Sequence, residues 1–172
     1  MLNIRKVEKC LDDNMVKVRK VVSILIIILF GVQVVVVFIQ VIARFIFINP
    51  FSWSEEMARY IQVWMILLVS SICVRKNAHF AIDYLTYKLN FRYRKILDIV
   101  VNFIVLFYIF IITTYGWRIV VTIFTFSQTS PAMLIPMYLI YLAIPVSGLL
   151  MFLEGLIRLL KLIRLKNNNK DL

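Results

Sequence analysis

Long apolar runs separated by short polar segments dominate the pattern along this chain. Four such runs cover about residues 21–48, 55–75, 96–126 and 132–160. The hydrocarbon core of a bilayer is about 30 Å thick and takes roughly 20 helical residues to cross. Three of the runs are longer than that, which predicts tilted or protruding helices. The pattern therefore predicts an all-α polytopic membrane protein, with four tilted transmembrane helices in a single domain over residues 1–165.

The segments between the runs predict where these helices begin and end. Asn49-Pro50 should end the first helix, because the residue before a proline is disfavoured in the α region. Ser52 and Glu55 have the spacing of a capping box, which predicts the start of the second helix. Within the fourth run, Pro145 should kink the helix. We expect residues 166–172 to form a disordered cytoplasmic tail.

Residues 80–93 are too polar to cross the membrane, yet they carry apolar residues at four-residue spacing between lysine, arginine and tyrosine. A basic amphipathic helix of this kind lies in the membrane surface, with its cations near anionic head groups. The sequence therefore predicts an interfacial helix on the cytoplasmic side, in contact with phospholipids.

The distribution of basic residues predicts the orientation in the bilayer. The 172-residue chain is 62% hydrophobic and carries a net charge of +11, and its mean hydropathy is +0.90. All but three of its 20 Lys and Arg residues lie in residues 1–20, 75–95 and 158–170, whereas residues 49–56 and 127–133 contain none. Because Lys and Arg are retained on the cytoplasmic side, both termini should be cytoplasmic. Basic groups divided among three membrane segments do not form one groove-binding face, so no nucleic-acid partner is expected.

The composition does not favour enzyme chemistry. The chain has one His, two Cys and four Gly, and it contains no Gly-rich phosphate loop, metal-ligand cluster or seryl nucleophile motif. We therefore predict that the protein is not an enzyme and binds no cofactor or metal.

The first candidate polar cluster opens the second helix, at the extracytoplasmic edge of the membrane. Glu55 and Glu56 lie in the first turn, where the helix dipole favours negative charge. Arg59 shares their face, Trp53 suits the interface, and Arg44 could reach the same edge. One interpretation is a substrate or ion path. The other is a capped ion pair that holds the helix or a partner.

The second candidate cluster follows the second helix on the cytoplasmic side. Arg75, His79 and Asp83 are spaced by four residues and would share one face of a continuing helix. They could form a proton relay, or a hydrogen-bonded corner that joins the second span to the interfacial helix. Two further charges lie within spans, Arg118 and Glu154, and Arg158 is within reach of Glu154 at i+4.

Taken together, these segments resemble the small membrane subunit of tripartite ATP-independent periplasmic (TRAP) transporters, the DctQ family. The resemblance rests on Arg44, on residues 53–60 with Trp64, on residues 75–83, and on residues 129–137 with Tyr141 and Pro145. One departure is Val69-Ser70-Ser71, where a Gly-containing patch would be expected. The resemblance covers nearly the whole chain, and it includes the chain length, the number of spans and the topology.

The resemblance implies a role in a sodium-coupled transporter of organic acids of the C4-dicarboxylate or sialic acid type, in the bacterial inner membrane. The partners it implies are a large TRAP membrane subunit and an extracytoplasmic solute-binding protein, and no homo-oligomer is expected. This chain would act as a scaffold and anchor for the large subunit. Its candidate structural or docking residues are Arg44, Trp53, Glu55, Glu56, Arg59, Arg75, His79 and Asp83.

Two other functions fit four short spans. One is a self-contained small transporter of the multidrug-export type, which would need a membrane-embedded Glu near the middle of an early span. The first run has none, and Glu55 lies at an edge. The other is an accessory membrane anchor for an enzyme or sensor.

Overall fold

A computed structural model of the protein describes residues 2–46, 51–75 and 91–168. It contains four long helices and one short one: α1 (Leu2–Ile46), α2 (Ser52–Arg75), α3 (Phe91–Thr125), α4 (Tyr138–Tyr141) and α5 (Ala143–Asn168). The described ranges contain no regular strand, only an isolated bridge between Thr129 and Pro136. The predicted all-α class is confirmed.

The four predicted membrane spans are present. Segments long and apolar enough to cross a bilayer run from Met15 to Ile46, from Ser52 to Val74, from Leu97 to Thr125 and from Tyr138 to Leu162. The first span belongs to a helix of 45 residues, about 68 Å long at 1.5 Å per residue. Because that length is about twice the hydrocarbon thickness, α1 extends well beyond the membrane on its N-terminal side.

Helix α5 lies at the centre of the bundle. It packs against α3 and α2 and touches α1, while α1 packs mainly on α2. Small residues allow the close approach of α5 to α3. At Gly148 an added Cβ would overlap Thr113, and at Gly155 it would lie 2.7 Å from Leu106 Cδ2. These two contacts fix how α5 meets α3.

The entry to the last span differs from the predicted helix over residues 132–160. Residues 127–137 form a folded loop, with positive φ angles at Ser127 (47°) and Leu134 (55°). The loop folds back on itself, because the amide of Ser130 donates to Ile135 O at 2.9 Å and the amide of Met137 donates to Gln128 O at 2.9 Å. Since α5 begins only at Ala143, Pro145 lies in its first turn, where proline is tolerated. Because α4 ends at Tyr141, four residues before Pro145, the span from Tyr138 to Leu162 is interrupted there, and the predicted kink at Pro145 stays a prediction.

Two other predicted segments are only partly described. Residues 91–93 of the predicted interfacial helix form the start of α3, and residues 80–90 lie outside the described ranges. Helix α5 continues to Asn168, so the first three residues of the predicted disordered tail are helical. The last four residues lie outside the described ranges.

The bundle has two ends, which we call the loop end and the terminus end. The loop end carries the C-terminus of α1, the start of α2 and the 127–137 loop. The terminus end carries the first half of α1 and the second half of α5.

Candidate functional site

The polar cluster predicted at the start of α2 divides into two parts with different surroundings. Glu55 accepts a hydrogen bond from Arg59 Nη2 at 3.1 Å, and the two side chains are 66% and 67% exposed. Trp53 is also exposed. Arg44 lies exposed in the last turn of α1 and forms no ion pair with any described residue. These side chains make a polar, accessible surface at the loop end, which we call the loop-end surface.

Glu56 points away from that surface and holds the 127–137 loop. Its carboxylate accepts a hydrogen bond from the hydroxyl of Ser130, which is fully buried. It also accepts hydrogen bonds from the amides of Ala132 and Met133, each at 3.2 Å. Ser52 makes no side-chain bond in the described part, whereas Ser54 Oγ donates to Phe51 O at 2.7 Å. The predicted capping box is therefore wrong. The first turn of α2 instead provides the Glu56 carboxylate, which binds the 127–137 loop.

A second ionic cluster, which the sequence pattern does not indicate, joins α1 to α5 at the terminus end. Arg19 donates two hydrogen bonds to Glu154, from Nε at 2.5 Å and from Nη2 at 2.9 Å. Arg19 Nη1 also donates to Asp12 at 2.8 Å, and Lys161 Nζ donates to the other Asp12 oxygen at 2.7 Å. The terminus-end network is thus Lys161, Asp12, Arg19 and Glu154.

This network is more buried than the ion pair at the opposite end. The Glu154 side chain is 4% exposed and the Arg19 side chain 13%. Two parallel hydrogen bonds from a guanidinium are the preferred way to satisfy a buried carboxylate. At the outer end, the hydrogen bond from the Lys161 ammonium holds the pKa of Asp12 below its ordinary value, with Arg19 adding to the effect and partial burial opposing it.

The expected i+4 partner of Glu154 makes a different contact. Arg158 Nη1 donates to the carbonyl of Val74, near the end of α2, at 3.5 Å. Glu154 pairs instead with Arg19, which is 135 residues away along the chain. A sequence signal could have been a charge of opposite sign near the same membrane edge on another helix, and Arg19 satisfies that description.

Several polar side chains deeper in the spans donate hydrogen bonds to backbone carbonyls of the same chain. Asn102 is 1% exposed, and its Nδ2 donates to Gly155 O at 3.3 Å. Ser71 and Ser147 donate to carbonyls of their own helices, which is the usual partner for a serine in a membrane helix. Among described side chains, Asn102 Oδ1 and Gln33 Oε1 are buried without a partner.

No group of three or more potential metal ligands occurs among the described residues. The predicted set Arg75, His79 and Asp83 falls outside the described side chains. Arg75 is the last residue of α2, and the relation of these three side chains stays a prediction. The described part therefore brings charged residues together at two ends and does not assemble a polar cavity between them.

Residues 33–165 match the family model for the DctQ component of tripartite ATP-independent periplasmic transporters. A Haemophilus influenzae protein assigned as a TRAP transporter small permease protein is 30% identical over 156 residues, which cover 91% of this chain and 89% of that protein.

Two further relatives have more specific names. The isethionate TRAP transporter permease protein DctMQ of Oleidesulfovibrio alaskensis is 32% identical over 98 residues, 55% of this chain. The C4-dicarboxylate TRAP transporter small permease protein DctQ of Rhodobacter capsulatus is 32% identical over 99 residues, 58% of this chain. The matches span only 15% of the first protein and 44% of the second.

Proposed function

We propose a function for this chain on the basis of its family, because it belongs to the DctQ family of TRAP transporter components. It is a small permease subunit with several spans in the bacterial inner membrane. In our proposal it anchors the static part of a large permease subunit, which carries the transport sites. An extracytoplasmic solute-binding protein delivers the substrate. The substrate is an organic acid, as the names of two similar proteins, for isethionate and for C4-dicarboxylate, suggest. Its uptake with sodium is the expectation that the family resemblance gives.

The observation that supports this proposal is that two carboxylates of the chain are already bonded to groups of the same chain. The buried carboxylate of Glu154 is occupied by Arg19, and the carboxylate of Glu56 is occupied by a loop of the same chain. A substrate or sodium site needs several polar groups that converge on a cavity. The described residues offer no such set, which favours placing the transport chemistry on another subunit.

The loop-end surface is our candidate contact for that subunit. Arg44 has no ionic partner among the described residues, and the Glu55–Arg59 pair is open to solvent. Exposed pairs contribute only about 0–1 kcal/mol to a chain's own stability, so these charges are free to set the register of a partner. Trp53 adds the aromatic group that is common in interface centres.

The proposal includes an orientation with both termini in the cytoplasm, based on the positions of Lys and Arg. Reporter fusions at Asn49 and Ser130 should then report the extracytoplasmic side, and fusions at Asn90 and Asn168 the cytoplasm. An extracytoplasmic signal at Asn90 would contradict this topology.

Reconstitution tests the division of labour. Liposomes containing only this chain should show no uptake of an organic acid. Liposomes that also contain the large permease subunit, supplied with loaded solute-binding protein, should show uptake that depends on a sodium gradient. A matched control contains the large subunit without this chain and should lose most of that uptake. Robust uptake by this chain alone would instead support the self-contained small transporter.

A variant separates docking from transport. Glu55→Gln removes one charge of the loop-end surface without touching the buried network. We expect weaker co-purification with the large subunit and an unchanged dependence of the residual uptake on sodium concentration. A complex that purifies intact but loses its sodium dependence would favour the ion-path interpretation.

A further inference from the structure

An open groove of about 660 Å³ runs between α3 and α5 in the half of the bundle nearest the loop end. Thr113, Thr114 and Trp117 line it on the α3 side, and Val146 and Leu149 line it on the α5 side. Both of these α5 side chains are exposed, at 40% and 59%. The groove is separate from the loop-end surface and from the terminus-end network.

The walls of the groove are apolar in practice, although two threonines contribute to them. The hydroxyl of Thr113 donates to Ile109 O at 2.7 Å. The hydroxyl of Thr114 donates to Phe110 O at 3.0 Å and lies within hydrogen-bond distance of a second carbonyl. Both hydroxyl donors are therefore bonded within their own helix, and the walls present methyl and methylene groups together with the Trp117 ring. Such a surface suits a hydrocarbon chain and offers little to a polar solute.

One end of the groove carries a cation that has no carboxylate partner among the described residues. Arg118 lines the groove, and its guanidinium carbon lies 5.7 Å from the centre of the Tyr115 ring. No described Asp or Glu forms an ion pair with it. A guanidinium binds phosphate oxygens through paired hydrogen bonds. The cation therefore complements an anionic group placed beside an apolar chain.

The length and depth of the groove agree with the thickness of one leaflet of a bilayer. The α3 span of 29 residues is about 44 Å long, so its ends extend beyond the hydrocarbon core, and Arg118, seven residues from the middle of that span, lies about 10 Å from the membrane centre. The α5 side of the groove extends from Leu142 to Leu150, about 12 Å toward the membrane centre. Half the hydrocarbon core is about 15 Å. A ligand with its anion at Arg118 would thus lie along most of one leaflet.

We propose that this groove is a binding site for a phospholipid of the leaflet at the loop end. Its phosphate accepts hydrogen bonds from Arg118, and one acyl chain lies between α3 and α5. A helix from another protein would need its own carboxylate to satisfy Arg118, whereas a phospholipid supplies the anion and the chain together. The site differs from the interfacial helix predicted at residues 80–93, which would meet head groups at the opposite membrane surface.

Native mass spectrometry of the purified full chain, with phosphatidylglycerol added to the detergent, tests the site. Arg118→Gln should weaken phosphatidylglycerol binding about tenfold, the loss expected when one charge-assisted interaction is removed. Leu149→Trp fills the groove at an exposed position and should weaken binding by a similar factor. Arg44→Gln is the matched control, because Arg44 is an exposed arginine at the same end but outside the groove. It should leave binding unchanged.

The possible outcomes distinguish a phospholipid in the groove from inorganic phosphate and from a partner helix. Inorganic phosphate should not displace the lipid, because it has no acyl chain. Circular dichroism and gel filtration verify that each variant is folded. Wild-type lipid binding by folded Arg118→Gln or by folded Leu149→Trp would overturn the proposal. Unchanged lipid binding together with lost association of Leu149→Trp with the large subunit would identify the groove as a contact for a partner helix, which also overturns it.

Discussion

The buried pair between Arg19 and Glu154 allows the sharpest test of what holds the bundle together. Replacing Glu154 with Leu removes a carboxylate that accepts hydrogen bonds at 2.5 and 2.9 Å from a largely buried guanidinium. Removing one partner of a buried ion pair typically costs about 3–5 kcal/mol, because the other charge is left without compensation. Arg19 keeps its 2.8 Å contact to Asp12, so we expect a value near the lower end of that range.

The test uses a double-mutant cycle. Arg19→Met combined with Glu154→Leu removes both charges and leaves apolar side chains of similar length, so the double variant should recover most of the lost stability. Glu55→Gln is the control, because the Glu55–Arg59 pair is exposed and should contribute less than about 1 kcal/mol.

Thermal unfolding in detergent, followed by the fluorescence of the three tryptophans, measures the effect. A loss of about 3 kcal/mol corresponds to a decrease in Tm of roughly 6–12 °C for a chain of this size. The reasoning is refuted if Glu154→Leu unfolds within about 2 °C of the wild type. It is also refuted if the double variant is no more stable than Glu154→Leu alone.

Three further predictions concern other contacts. Since the folded-state pKa of Asp12 is lowered, its contribution to stability is complete above its ordinary pKa of about 3.9 and is lost as the pH falls through the lower folded value. Asp12→Asn should therefore unfold with a flatter acid dependence below about pH 5 in a pH series of melting curves, and equal slopes would contradict this. Glu56→Ala should speed hydrogen exchange of the loop amides that donate to that carboxylate, whereas Glu55→Ala should not. Gly148→Leu should lower Tm because its side chain would overlap α3, whereas Gly31→Leu, with open space around it, should not.

The spans could be predicted from sequence because the membrane leaves few alternatives. Backbone groups in hydrocarbon must be paired within a helix or a closed barrel, so long apolar runs without alternation specify helices. The 127–137 loop was less predictable. Its course depends on tertiary bonds from Ser130 and neighbouring amides to Glu56, 74 residues away, and local propensity carries no signal for such bonds.

The terminus-end network could not be predicted for a related reason. Spacing along one helix indicates i+4 pairs, such as Glu55 with Arg59, and that geometry is present. The pairing of Glu154 with Arg19 depends on how α5 is rotated against its neighbours. Close contacts at Gly148 and Gly155 set that rotation, and hydrophobic periodicity does not encode it.

The network also bears on whether this chain moves during transport. A transporter that alternates between two arrangements must let its intramembrane charges change partners at low cost. Here, sliding α5 past α1 by one helical turn, about 5.4 Å, would break both Arg19–Glu154 bonds, leaving the buried Glu154 carboxylate without its partner and Arg19 with Asp12 alone. That penalty is several kcal/mol per ion, whereas the same displacement of the exposed Glu55–Arg59 pair would cost little. The side chains that resist movement are therefore internal to the bundle, and those that could adapt to a partner lie on the loop-end surface. This distribution favours the proposed role of a rigid scaffold for a larger subunit.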